Sequence, residues 1–188
     1  MSGPVPVQPL TWNVAALLSE PPGSTRDYAL AGVTIPLEDD RRLTDPIEGT
    51  VRFVRTGRGI FVRAVLATAL GAECSRCLRP IEVRLALRID EEVLPSIDLE
   101  SGQPVNADAD PDSARLTDHH ELELETLVRD AIDLAEPIAP VCRADCLGLC
   151  PTCGERLDEG QHDHPQESID PRLAALQSFR FDVEPQTE

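Results

Sequence analysis

The chain has 188 residues, with 34 acidic side chains against 17 basic ones, and a net charge of −17. At 41% hydrophobic and 27% charged it has the make-up of an ordinary globular protein, able to bury one core but too short for a large multidomain enzyme. The 17 basic residues are all Arg, so the chain can build neither a lysine Schiff base nor a phosphate-loop NTPase site, and its charge excludes a chain-wide nucleic-acid footprint.

Met1 to Pro9 holds no basic residue and no apolar run, and nowhere do about 18 apolar residues follow one another. A cytoplasmic protein with no export signal and no membrane span is expected. Leu10 to Leu18 is apolar and reads equally as helix or strand. Ile47 to Thr56 and Ile60 to Leu70 alternate around Gly57-Arg58-Gly59, which predicts a hairpin. Ile81, Val83, Leu85, Leu87 and Ile89 alternate strictly with Glu82, Arg84, Ala86, Arg88 and Asp90, a strand with one buried and one wet face. The connection before it, Gly71 to Pro80, puts Cys74 and Cys77 at the tip of a β turn.

From Pro95 to Ser113 the residues turn to Pro, Ser, Asp and Gly without periodicity, and a flexible acidic loop is expected. Asp118 and Glu121 have the spacing of a capping box. Leu124, Leu127, Val128, Ala131, Ile132 and Ala135 then fall at helical intervals until Pro137. His119 and His120 are expected at the start of that helix, facing solvent. A short last helix is expected from Asp170-Pro171, burying Leu173, Leu176 and Phe179. The fold class read from this order is α+β in a single domain, 1–188. It comprises an antiparallel β meander or hairpins (1–94), the acidic loop (95–117), and a C-terminal part (118–188) with a helix, a zinc-knuckle segment and the short terminal helix.

Charge is unevenly spread. Arg41 to Asp90 carries a net +5, whereas Glu91 to Val141 carries −12. The basic segment suggests a phosphate-contacting face of Arg52, Arg55, Arg58, Arg63, Arg76, Arg79, Arg84 and Arg88, or a merely solvated one. With aromatic residues at 3%, such a face would touch RNA backbone or shape and not stack bases. The acidic segment is suited to holding a basic protein.

The six cysteines come as Cys74-x-x-Cys77, Cys142-x-x-x-Cys146 and Cys150-Pro-Thr-Cys153-Gly, followed by His162-Asp-His164. Thiols in a reducing compartment at this spacing point to metal before disulfide. Eight soft or borderline ligands match two tetrahedral zinc ions, with one ion or iron left open. Cys150, Cys153, His162 and His164 would close a compact local site, leaving Cys74, Cys77, Cys142 and Cys146 for a second. A ribbon-like set of Cys74, Cys77, Cys150 and Cys153 is the alternative. Either set fills every position with protein atoms, as in structural zinc. Redox use would want a helix beginning at the first Cys of the motif, which Pro151 and Gly154 oppose.

The run from Leu134 to Leu157, containing Cys142-Arg-Ala-Asp-Cys146-Leu-Gly-Leu-Cys150-Pro-Thr-Cys153-Gly, resembles the C-terminal signature of the YceD family, the large ribosomal RNA subunit accumulation proteins. Cys74-Ser-Arg-Cys77-Leu-Arg-Pro80 and Ile169 to Leu176 resemble it too, in the family's order. Many relatives carry Cys-x-Cys where this chain has His162-Asp-His164, a swap that keeps metal-ligand chemistry. The resemblance implies a non-enzymatic cytoplasmic factor for the processing or accumulation of large-subunit rRNA. Its partners would be precursor rRNA, a basic ribosomal protein, or both, with no small-molecule substrate and no catalytic residue. No nucleotide loop, nucleophile elbow or His-Glu-x-x-His motif contradicts this. The competing reading is a stand-alone zinc-binding redox or hydrolytic protein using its Cys-x-x-Cys cluster.

Overall fold

A computed structural model describes residues 10–39, 41–98, 101–105, 113–160, 162–164 and 172. The chain forms two compact units, Met1–Cys146 and Leu147–Glu188. The ambiguous N-terminal stretch is both things in turn: a strand β1 (Thr11–Asn13) and a single helical turn α1 (Ala15–Leu18). Asn13 Oδ1 accepts the Ala15 N–H at 3.1 Å, which starts that turn.

The main sheet is antiparallel in sequence order: β2 (Thr25–Val33), β3 (Leu43–Arg55), β4 (Ile60–Glu73) and β5 (Pro80–Val93). The three expected strands are present, each longer than its alternating run. β2 was not expected, because only Leu30 and Val33 of its nine residues are buried and a bulge breaks its register before Val33. Between β3 and β4, Thr56 Oγ1 accepts the N–H groups of Arg58 and Gly59 at 3.2 and 2.9 Å, closing the glycine turn. Gly49 (φ +147°) lets β3 approach β4: a Cβ there would stand 2.2 Å from the Val65 carbonyl oxygen.

One face of the sheet buries Val51, Phe53, Ile60, Val62, Leu66, Leu85 and Leu87. Opposite them lie Val14, Leu17 and Leu18 from the N-terminal segment, and Leu124, Val128 and Ile132 from the helix α2 (Leu124–Ala135). Each such side chain contributes about 1.5–3 kcal/mol on removal from water. Trp12, Tyr28 and Phe53 meet at ring separations of 5.2–5.4 Å and tie β1 to β2 and β3.

α2 keeps the expected periodicity and ends where Glu136 turns extended (ψ 124°) before Pro137. Its start differs from the expected capping box. Glu121–Glu123 form β6, paired with β1 as Trp12 opposite Leu122. The helix begins after Glu123, which makes no side-chain cap. Thr117 Oγ1, not Asp118, accepts the nearby N–H groups of His119 and Glu121 at 3.3 and 3.1 Å. His119 is exposed as expected; His120 is half-buried, with φ +57° and its Nδ1 buried.

Asp133 and Glu136 sit unfavourably at the negative end of the α2 dipole. Arg41 offsets both, donating to Asp133 at 2.7 Å and to Glu136 at 3.0 Å. In the acidic loop, Ile97 bridges Pro104 and Ser101 donates to Asp98. The helix expected from Asp170 and most of the acidic run at 106–112 lie outside the described residues.

Candidate metal centres

Cys74 and Cys77 sit between β4 and β5 in a knuckle with two backbone clasps. The Leu78 N–H donates to the Cys74 carbonyl at 2.9 Å, and the Cys74 N–H to the Arg79 carbonyl at 2.8 Å. Cys150 and Cys153 repeat it: Gly154 N–H to the Cys150 carbonyl at 2.9 Å, Cys150 N–H to the Glu155 carbonyl at 2.7 Å. In both, the residue after the second Cys is left-handed, Gly154 at φ +75° and Leu78 at φ +56°. Glycine marks the second knuckle in the sequence; the first uses leucine at some backbone strain, a signal that sequence reading missed.

The first group gathers Cys74, Cys77, Cys142 and Cys146, with all four sulfurs within 4.8 Å of one another. A tetrahedral ion holding sulfurs at about 2.3 Å would set them about 3.8 Å apart. Cys74 Sγ stands 3.9 Å from Cys146 Sγ, and Cys77 Sγ 3.8 Å from Cys142 Sγ. A disulfide would need about 2.05 Å, and all six cysteines are free. Arg76 donates to the Cys146 carbonyl at 2.9 Å and the Ser75 N–H to the Pro140 carbonyl at 2.8 Å, so the knuckle is fastened to the segment after α2. Cys74, Cys77 and Cys146 are buried.

The thiols are electrostatically unequal. Backbone N–H donation, first from Cys142 and then from Cys77 and Arg76, lowers the Cys74 thiol to about 6 despite burial. Burial, then the neighbouring thiols of Cys146, Cys74 and Cys77, raises Cys142 to about 12. One thiolate is thus preformed, while the next meets like charge in a dry site. Such a set can become fully ionised when a cation shares it.

The second group gathers Cys150, Cys153, His162 and His164 within the same 4.8 Å limit. A sulfur at about 2.3 Å and a nitrogen at about 2.05 Å from a tetrahedral ion lie about 3.5 Å apart. Cys153 Sγ and His162 Nδ1 are 3.5 Å apart. His162 Nε2 meets the Arg156 carbonyl at 2.9 Å, which places the ring proton on Nε2 and leaves Nδ1 free to ligate. His164 Nε2 is buried with no hydrogen-bond partner, an orphan that a metal ion would satisfy. Backbone N–H groups of Cys153 and Thr152 lower Cys150 to about 6. Of the groupings open from sequence, the local set and the hairpin clamp are each gathered within one unit. Both groups could hold a metal ion.

The arginines divide. Arg52, Arg63, Arg84 and Arg88 share the exposed face of the main sheet. Asp27, Arg52, Arg63 and Asp90 form one row across all four strands. Arg52 bonds Asp27 at 2.6 Å; Arg63 and Arg88 bond Asp90 at 2.8 and 2.6 Å. Arg88 foremost, then Arg63, holds the Asp90 carboxyl below the usual carboxylate range. Arg84 makes no ion pair among the described residues. Arg55 instead donates to the Leu18 carbonyl at 2.9 Å, Arg58 lies in the β3–β4 turn near Glu92, and Arg76 and Arg79 belong to the first knuckle.

No helix among the described residues is long and apolar enough to cross a membrane. A protein of Mycobacterium tuberculosis (strain H37Rv) and one of Mycobacterium bovis, both uncharacterized, are each 34% identical over 126 residues, 67% of this chain and 58% of theirs. An uncharacterized protein of Mycobacterium leprae is 27% identical over 145 residues, 76% of this chain and 63% of its own. The chain thus spans less than two thirds of the length of the curated relatives it matches. No solved structure matches it. The family described as "Large ribosomal RNA subunit accumulation protein YceD" matches residues 62–180, from within β4 through both cysteine groups, and the chain belongs to that family.

Proposed function

We propose that the protein is a non-catalytic, cytoplasmic factor that supports the accumulation of large-subunit rRNA during ribosome assembly, with one structural zinc ion in each cysteine group. The family match over residues 62–180 carries this reading. Zinc is favoured over iron by the mixed thiolate and imidazole set of Cys150, Cys153, His162 and His164. Four protein ligands in each group leave no open coordination position for a substrate, which argues against hydrolysis. Precursor rRNA would meet Arg52, Arg63, Arg84 and Arg88 through its phosphates, the paired acids keeping that contact weak and reversible.

The test is the ratio of large- to small-subunit rRNA, with a gradient profile of particles, in cells depleted of the protein. A selective fall in mature large-subunit rRNA is expected, and an unaltered ratio would refute the reading. The competing redox reading requires reactive thiols, and cysteines that resist a thiol reagent until a chelator is added exclude it.

A further inference from the structure

We propose that the groove between β5 and α2 is a docking site for an extended, basic segment of a partner protein, which adds to the main sheet as a strand beside β5. β5 is a terminal strand of the sheet. It pairs with β4 from Pro80 to Val93 with no bulge, and within the strand no proline follows Pro80. Proteins usually block such an edge with a bulge, a proline or a cover. The other edge, β2, has its bulge. Among the described residues, no backbone hydrogen bond outside the β4–β5 ladder reaches residues 84–92. The nearest is at Leu94, whose N–H donates to the Ala114 carbonyl.

α2 packs against β5, and between the two runs a groove of about 740 Å³. Ala86, Leu87 and Ile89 form one wall; Leu127, Ala131 and Leu134 form the other. Leu134 is 88% exposed, an unusual state for a leucine next to so much apolar surface. A groove bounded by an open strand edge and a helix is the geometry in which an extended peptide gains main-chain hydrogen bonds on one side and side-chain pockets on the other.

The charge identifies the occupant. Asp90, Glu91, Asp130 and Arg88 line the groove; Asp90 is bonded by both Arg88 and Arg63, which leaves Glu91 and Asp130 as acids with no ion pair among the described residues. A basic segment complements this rim. A second copy of a chain with net charge −17 does not, nor does this chain's own run Asn106 to Asp112, which carries three aspartates and a proline. The identity of the partner as a basic ribosomal protein rests on the function proposed above; the groove and its strand-adding mode do not.

The test uses the full-length, metal-loaded protein and a short synthetic peptide of alternating Arg and Val. Binding is read by fluorescence anisotropy, and amide exchange is followed on β5. Binding should be accompanied by slower exchange within residues 84–92. The same peptide N-methylated at alternate backbone nitrogens should bind about tenfold more weakly or worse, because the strand ladder is lost. Asp130→Arg combined with Glu91→Arg should weaken the parent peptide about tenfold, and Arg26→Glu, on the opposite edge strand β2, should not. If the N-methylated peptide or an acidic Glu/Val twin binds as well as the parent, or exchange on β5 is unmoved, strand addition at this groove is wrong. That failure would leave the rRNA ratio in depleted cells unaffected as evidence. Conversely, peptide binding together with an unaltered ratio would keep the groove and sink the assembly reading.

Discussion

Removing the metal from the first cysteine group should cost the fold far more than removing it from the second. Cys77 and Cys142 are 65 residues apart in sequence, whereas Cys153 and His162 are nine apart. Treating each metal bridge as a cross-link, closure of the longer loop constrains the unfolded chain by about 4 kcal/mol and of the shorter by about 2.5 kcal/mol. In a chain of this size about 4 kcal/mol corresponds to roughly 8–16 °C in Tm. The perturbation is Cys142→Ser with Cys146→Ser, compared with Cys150→Ser and Cys153→Ser, each checked for metal content. Melting is followed by circular dichroism. The sheet and its apolar core do not depend on the removed thiols, so the variant should melt early without being unfolded at room temperature. Equal losses in the two variants, or a Tm within about 2 °C of the parent after verified metal loss, would refute the clamp.

Leu78 is left-handed and 55% exposed, so Leu78→Gly relieves strain with little packing lost. A gain of about 1 kcal/mol in denaturant unfolding is expected, and a loss would contradict the strain argument. Asp90 has a folded pKa below its ordinary value, so its contribution to stability is complete above about pH 4 and disappears as pH falls through the depressed value. The small Tm deficit of Asp90→Asn at neutral pH should therefore narrow on acidification; a widening gap would reverse the sign. Arg84→Glu with Arg88→Glu should reduce the slope of log affinity for precursor rRNA against log salt by about two, measured by filter binding. An unchanged slope would remove these residues from the interface.

Three strands, the periodicity and end of α2, and the eight candidate ligand residues could be read from the chain because each rests on local pattern: period two, period 3.6, or paired ligands at short spacing. What escaped is non-local. β2 holds its place by pairing with β3 and by Tyr28 against Trp12 and Phe53, not by apolar alternation of its own. Glu121 looked like a capping residue and is instead drawn into β6 by the distant strand Thr11–Asn13. Cys74-x-x-Cys77 could not be recognised as the twin of Cys150-x-x-Cys153, because the position that demands a left-handed residue is filled by Leu78. The grouping of ligands was equally beyond counting: it depends on Ser75 and Arg76 reaching the Pro140 and Cys146 carbonyls across the fold.

That last contact links the first cysteine group to the groove. β5 begins three residues after Cys77, and α2 ends seven residues before Cys142, so the first cysteine group joins one end of the open strand to the segment that follows the opposing helix. Among the described residues, the backbone bond that fastens the β5 end to the segment after α2 there is the Ser75 to Pro140 clasp, which the knuckle itself supplies. Loss of the ion should therefore widen the groove before it melts the sheet, whose core lies further along β4 and β5 at Leu66 and Leu87. The expected outcome is a window of chelator or temperature in which far-ultraviolet circular dichroism is native while the Arg/Val peptide no longer binds. Removal of the second ion alone, by Cys150→Ser with Cys153→Ser, should leave the peptide affinity intact. Peptide binding that survives metal loss up to the melting of the sheet would show that the helix and strand hold their spacing unaided, and would separate the metal from recognition.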